Sequence, residues 1–158
     1  RTRPNTPAVI QSGATVLYAT PVVSDSQREQ AESLMRAVCL TQWVKNESLM
    51  DAVTALSGSG PAYLFLVMEA MENAGRELGL TAETARLLTL QTAFGAARMA
   101  LESSEPPETL RVRVTSPGGT TERAVNTLED GGIRDLFTHA LKAAHDRSVE
   151  LSADLGAA

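Results

Sequence analysis

Apolar residues recur three and four positions apart through most of this chain, the spacing of a helix face rather than of a strand. From Asn46 onward every periodic stretch predicts a helix: Glu47 to Leu56, Gly60 to Leu78, Thr81 to Glu102, Glu108 to Val114, Thr120 to Glu129, and Ile133 to about Asp154. Gly75, Gly79, Pro106-Pro107, Pro117-Gly118-Gly119 and Gly131-Gly132 supply most of the breaks, because glycine adopts backbone that other residues resist and proline cannot continue a helix. The first third is mixed. Thr15 to Ala19 and Leu40 to Val44 predict short strands, and Ser24 to Val38 between them predicts a helix capped by Ser24 or Asp25. Two short strands do not make a stable sheet, so this unit is expected to belong to a larger sheet whose other strands are absent here.

Two of the helices carry more apolar surface than one chain needs. Ala62-Tyr63-Leu64-Phe65-Leu66-Val67-Met68 is apolar on every face, which predicts a helix that is central or covered by another subunit. The helix from Thr81 holds Ala85, Ala93, Gly95, Ala96, Ala97 and Ala100, small residues that let a second helix approach closely. On the last helix, Leu136, Ala140, Ala144, Ser148, Leu151 and Leu155 form one drifting stripe, expected to serve as a subunit interface, with packing inside the chain as the alternative.

The totals narrow the classes. A chain of 158 residues can be one domain, or a small domain plus part of another, and can bury about two-thirds of its unfolded surface. A net charge of −5 argues against non-specific binding to nucleic acid or to an anionic membrane, both of which need a basic face. Cys39 is the single cysteine and sits among apolar residues, so no disulfide framework or thiolate metal site forms within one chain, and a reducing cytoplasm is the default compartment. No apolar run reaches the roughly 18 residues of a membrane span, and Arg1 has the look of a cut rather than a natural start.

Several chemistries fail on spacing. His139 and His145 lie six residues apart on one predicted helix, about 240° around its axis, and cannot share a metal. Ser57-Gly58-Ser59-Gly60-Pro61 lacks the flanking glycines of a nucleophile elbow, and Tyr63 stands where a dinucleotide fingerprint needs its third glycine. What that stretch does predict is a helix start, with Ser59 as cap and Pro61 near the first helical position. Glu69 is the only acid in the first turns of the apolar helix, and a hydrogen bond to a neighbouring helix end is its commoner use.

Ser116-Pro117-Gly118-Gly119-Thr120-Thr121, running into Glu122-Arg123-Ala124-Val125, reads as a tight glycine turn feeding a helix. Unpaired amides and the helix dipole then make a place for a small carboxylate, with two threonine hydroxyls beside it. A Pro-Gly turn with threonine capping the helix explains the same residues without any ligand.

Three motifs resolve that choice: Arg3-Pro4-Asn5-Thr6-Pro7-Ala8, Ala55-Leu56-Ser57-Gly58-Ser59-Gly60-Pro61-Ala62-Tyr63, and Val114-Thr115-Ser116-Pro117-Gly118-Gly119-Thr120-Thr121. Together, in this order and spacing, they resemble the pyrroline-5-carboxylate reductase family, the last enzyme of proline synthesis. The resemblance implies a mainly α chain: residues 1–46 as the end of a Rossmann-type nucleotide domain, and 47–158 as a helical dimerisation and substrate-binding domain. It implies reduction of pyrroline-5-carboxylate to proline with NADPH or NADH, by a homodimer that in this family often assembles into decamers. The substrate carboxylate would lie at the amides of Gly119, Thr120 and Thr121, with Gly118 shaping the turn, Ser116 contributing its hydroxyl and Val114 lining the pocket. The Thr121 hydroxyl would contact the ring nitrogen and assist its protonation. Asn5, Ser59 and Gly60 would lie near the nicotinamide. The glycine-rich nucleotide fingerprint is absent, so the chain alone is expected to be inactive, and Arg3 occupies a place that is usually apolar in the family. Two other readings stand beside it: a non-catalytic helical dimerisation module, and the helical domain of a β-hydroxyacid-type dehydrogenase, whose catalytic lysine has no counterpart in the setting of either Lys45 or Lys142, the only lysines.

Overall fold

The computed structural model describes residues 1–156, with side chains described through Asp154. The chain is mainly α-helical with a small sheet at its start. It divides into two compact units, residues 1–63 with the stretch from Phe137 on, and Leu64–Leu136.

In the first unit, β1 (Thr2–Pro4), a short 3-10 helix (Thr6–Ile10), β2 (Gly13–Leu17), α1 (Asp25–Arg36) and β3 (Cys39–Trp43) follow in order. The sheet order is β1-β2-β3. β2 and β3 run parallel, with Gly13 opposite Cys39 and Leu17 opposite Trp43, and β1 pairs antiparallel with β2 through Arg3 and Val16. β1 and the 3-10 helix are not legible as local patterns, since Thr2-Arg3-Pro4 is exposed, shows no alternation and gains its extended form from pairing with β2. The other two strands lie one or two residues earlier than periodicity places them, because ladder hydrogen bonds rather than side-chain alternation set their ends. Gly13 has a steric reason: a Cβ there would stand 2.7 Å from the Ala8 nitrogen and 2.8 Å from the Cys39 sulfur.

Of the two candidate caps for α1, Ser24 is the one used. Its hydroxyl accepts the Gln27 N–H at 3.3 Å while the Gln27 side chain accepts the Ser24 N–H at 3.0 Å, a reciprocal capping box. The helix is tied to β3 through Trp43, whose indole N–H donates to Glu32 at 2.9 Å, with the Arg28 guanidinium 4.7 Å from the ring centroid. The Trp43 hydrogen bond, then the charge of Arg36, hold the Glu32 carboxyl below the usual carboxylate range. The stabilisation from this contact is therefore present above the unfolded carboxylate value and lost as pH falls through the lowered folded one. Acid titration is expected to move the emission of Trp43, the only tryptophan, before helix content is lost, and Glu32→Gln should abolish that early step.

The stretch expected as one helix from Glu47 to Leu56 is instead α2 (Leu49–Val53) followed by a π-helical turn, Thr54–Gly58. Ser59 N–H reaches back five residues to the Thr54 carbonyl at 2.9 Å, and the Tyr63 hydroxyl donates to the Ala55 carbonyl at 3.1 Å, so the widened turn stays satisfied. α3 (Gly60–Glu77) begins directly after it. α7 (Ile133–Gly156) meets α2 within this unit, where Ser148 donates its hydroxyl to Asp51 at 2.7 Å. That corrects part of the proposed interface stripe: Ser148 faces its own chain, while Leu136 stays 64% exposed. The side chain of Leu155, the last member of the stripe, lies outside the described residues.

The second unit holds the rest of α3, then α4 (Ala82–Glu102), α5 (Pro107–Arg113), α6 (Thr120–Asp130) and the start of α7. The Thr81 hydroxyl caps α4 by accepting the Thr84 N–H at 3.1 Å. Gly79, at φ +99, lets α3 reverse into α4. Very little of this unit is buried: among its described residues only Ala85 and Thr89 are. The apolar face of α3 lies open, with Phe65 63% and Leu66 67% exposed, and α4 adds Phe94 and Met99. No helix of the described residues is long and apolar enough to cross a membrane.

Candidate functional site

The turn between α5 and α6 is built from its own sequence. α5 ends where Thr115 turns back on it, donating its hydroxyl to the Arg111 carbonyl at 2.6 Å and its N–H to Val112 at 3.0 Å. Ser116 to Gly119 then form a tight turn closed by the Gly119 N–H on the Ser116 carbonyl at 3.0 Å. Pro117 suits the second position of such a turn, and Gly118 at φ +71 takes the left-handed third position that glycine tolerates. Gly119 caps α6 in extended conformation and has no side chain to cover the amides beyond it.

Those amides divide into two sets. Gly119 N–H is spent on Ser116, and Gly118 N–H donates to the Glu122 carboxylate at 2.7 Å. Thr120, Thr121 and Glu122 have backbone N–H groups with no acceptor among the described residues. The hydroxyls of Ser116, Thr120 and Thr121 are likewise without partners there. This narrows the expectation from sequence: Gly118 and Gly119 shape the turn, and Thr120 and Thr121 offer the open donors. Val114, 60% exposed, stands at the end of α5 just before the turn.

One acid and two ion pairs escaped the reading of the motif. Glu122 is the most direct, an acid in the first turn of α6 that complements the dipole and pins the turn. Its signal was present as the acid three residues beyond the glycine cap, the spacing of a capping box. Glu105 and Arg113 form a two-pronged ion pair, with Arg113 Nη2 donating to Glu105 Oε1 at 2.6 Å, which ties the loop before α5 to its last turn. Nothing in local sequence marks that pair. At the far end of α6, Arg134 donates two hydrogen bonds to Glu129, at 2.7 and 2.6 Å, and this hydrogen bonding holds the Glu129 carboxyl below its ordinary range. A polar cleft of about 320 Å³ runs along α6 from Gly118 and Gly119 past Glu122, Arg123 and Asn126 to Asp130.

Loss of the Glu122 contact should loosen the turn without unfolding the helix. In Glu122→Ala, amide exchange at Gly118 is expected to rise about tenfold, the scale of one hydrogen bond to a charged group. Glu122→Gln, which keeps an acceptor oxygen, should stay close to the parent. Unchanged Gly118 exchange in the alanine variant would show that the turn holds itself.

Asn5, Ser59 and Gly60 lie in the other unit. The Asn5 side chain is engaged at both ends, accepting the Ala14 N–H at 2.8 Å and donating to the Ser57 hydroxyl at 3.4 Å. It joins the 3-10 turn to β2 and to the π-helical turn that precedes Ser59. Gly60 is open, with no atom within 4 Å of where a Cβ would stand, so a flat ring can approach the start of α3. Asn5 thus acts as a brace behind the open start of α3. No group of three or more acidic, histidine or cysteine side chains among the described residues could hold a metal.

Residues 47–151 match the family model described as pyrroline-5-carboxylate reductase dimerisation. A pyrroline-5-carboxylate reductase of Pseudomonas aeruginosa strain PAO1 is 54% identical over 156 residues, 99% of this chain and 57% of that protein. One from Synechocystis is 43% identical over 96% of this chain and 56% of its own length. Among solved structures, a pyrroline-5-carboxylate reductase from Coxiella burnetii superposes with a TM-score of 0.93 at 55% identity, covering 96% of this chain and 56% of that one. The Plasmodium falciparum pyrroline carboxylate reductase with NADP bound gives a TM-score of 0.86 at 31% identity, covering 93% and 60%. The chain thus spans a little over half the length of the curated relatives it matches.

Proposed function

Because the chain belongs to the pyrroline-5-carboxylate reductase dimerisation family, we propose that it forms the dimerisation and substrate-holding part of an enzyme reducing pyrroline-5-carboxylate to proline with NADPH or NADH. The observation that carries this reading is the start of α6, where Thr120 and Thr121 offer unpaired amides and hydroxyls behind a glycine turn that leaves them uncovered. A carboxylate accepts those amides and is further favoured by the dipole of α6. Held there, the ring nitrogen meets the Thr121 hydroxyl, which donates a hydrogen bond as hydride adds to the imine carbon, electron density builds on the nitrogen and the nitrogen takes up a proton. Val114 covers an apolar edge of the ring.

The reduced nicotinamide, when bound, supplies the hydride. Ser59 and the open backbone at Gly60 would hold its edge, and Asn5 keeps the π-helical turn in place behind them. Orientation is most of the task, since bringing two reactants into a fixed geometry removes much of the barrier by itself. The chain's apolar surface on α3 and α4 is covered in this reading by a second copy, with decamers as a further stage and the cytoplasm as the compartment.

NADPH oxidation with pyrroline-5-carboxylate tests the assignment. The 158-residue chain alone is expected to show no turnover. Completing it with a nucleotide domain, to the length of its relatives, should restore activity. Turnover by the chain alone would show that the cofactor site is misplaced, and none in the completed protein would remove the function.

A further inference from the structure

In the first unit of this acidic chain, three arginines line a single cleft. A cleft of about 430 Å³ in the first unit is lined by Arg1 and Arg3 of the first strand region, by Ser59, and by Arg147, Leu151 and Ser152 of α7, with no aspartate or glutamate in the lining. Three arginines line it although the whole chain has a net charge of −5. Glu47 pairs with Arg1 at 3.2 Å and Glu150 with Arg147 at 2.7 Å, each through Nη1 of the guanidinium, so other N–H donors of each planar fork take no part in the pair.

Arg3 differs from both. Its guanidinium has no hydrogen-bond or ion-pair partner among the described residues. It lies over Gly58, where an added Cβ would stand 3.4 Å from the Arg3 Nε, so the glycine leaves the guanidinium its place beside the π-helical turn. The hydroxyls are sorted as well. Thr54 donates to the Met50 carbonyl at 2.9 Å and Ser148 to Asp51 at 2.7 Å, whereas Ser59 and Ser152 are left without partners among the described residues. The donors left over are guanidinium N–H groups and two hydroxyls.

We propose that this cleft is an anion site for a phosphate group, with Arg3 as its principal ligand and Arg1, Arg147 and Ser152 around it. Guanidinium forks match the paired oxygens of carboxylate and phosphate alike, and three arginines lining one cleft favour the more highly charged tetrahedral group. The cleft exceeds a bare ion in volume, and Leu151 supplies an apolar wall, so a phosphate carried on a small organic body fits it.

The test uses the chain itself and needs no turnover, so it stands or falls apart from the reductase reading. Melting temperature is followed against inorganic phosphate, and separately against adenosine monophosphate, with chloride holding ionic strength constant. A saturable rise is expected with at least one probe. Arg3→Gln should weaken it about tenfold, the worth of a charge-assisted contact, and Arg3→Lys should recover part of it. Should Arg3→Gln fold poorly, Ser152→Glu places a carboxylate in the lining without touching Arg3, and it should abolish the rise. A tighter response to the nucleotide assigns the group to a carried phosphate, and an equal one to the free ion. No saturable response to either probe, or one that survives in both Arg3→Gln and Ser152→Glu, would overturn the site.

Discussion

Phe65→Glu is expected to abolish the dimer and, with it, the cooperative fold. In the single chain the described residues bury few apolar side chains: Leu17, Cys39, Met50, Ala55 and Ala85. Meanwhile Leu64, Phe65 and Leu66 on α3, and Leu87, Leu88 and Phe94 on α4, stand between 54% and 67% exposed. An apolar surface of that extent is not stable in water and marks an interface. A carboxylate buried at its centre without a partner costs about 3 kcal/mol or more, roughly a hundredfold in dimer dissociation. Since so little core exists within one chain, dissociation and unfolding should occur together, and the melting temperature should depend on protein concentration. Phe65→Leu keeps the apolar contact and should remain dimeric. Light scattering at micromolar concentration beside a melt decides it: a Phe65→Glu chain that stays dimeric and melts like the parent would place the interface elsewhere.

Thr121→Ala should lower kcat/KM by about a hundredfold in the completed enzyme, the usual worth of a well-placed proton donor. Thr121→Ser should retain most of the activity, because the hydroxyl survives. Gly119→Val attacks the same turn through sterics. An added Cβ at Gly119 already stands 3.0 Å from the Ser116 carbonyl oxygen, so the turn must shift and carry the Thr120 and Thr121 amides with it. Its signature is a raised KM and weaker protection by proline, rather than a loss confined to kcat. Melting temperature and dimer mass, measured beside the kinetics, separate a damaged site from a damaged fold. A folded Thr121→Ala enzyme as active as the parent would reduce the turn to a helix cap.

The helices after residue 59 could be read from the sequence because a helix is a local object. The three-to-four spacing of Leu64, Met68 and Met71 on α3, the threonine cap of α4 and the glycine break at Gly79 each act within a turn or two of the residues that carry them. Ser24 declared the start of α1 for the same reason, and Pro117-Gly118 declared a turn whose left-handed residue only glycine adopts freely. The three motifs placed the chain in its family without any coordinates.

Tertiary structure alone decided what depends on residues distant in sequence or on rivals for one donor. Thr2 to Pro4 became a strand because Thr15 to Leu17 offered it partners, and Asn5 became a brace because Ala14 and Ser57 lay within reach. Trp43 settled on Glu32 and Ser148 on Asp51, pairs that no local spacing announces. At the turn before α6, glycine and threonine were visible as a source of open amides, but which amides remain open was a matter of competition. Glu122 and the Ser116 carbonyl took those of Gly118 and Gly119, leaving Thr120 and Thr121. A backbone donor is claimed by whichever acceptor folding brings nearest, so sequence determined where donors would be plentiful and the geometry of the folded turn determined which of them stayed open.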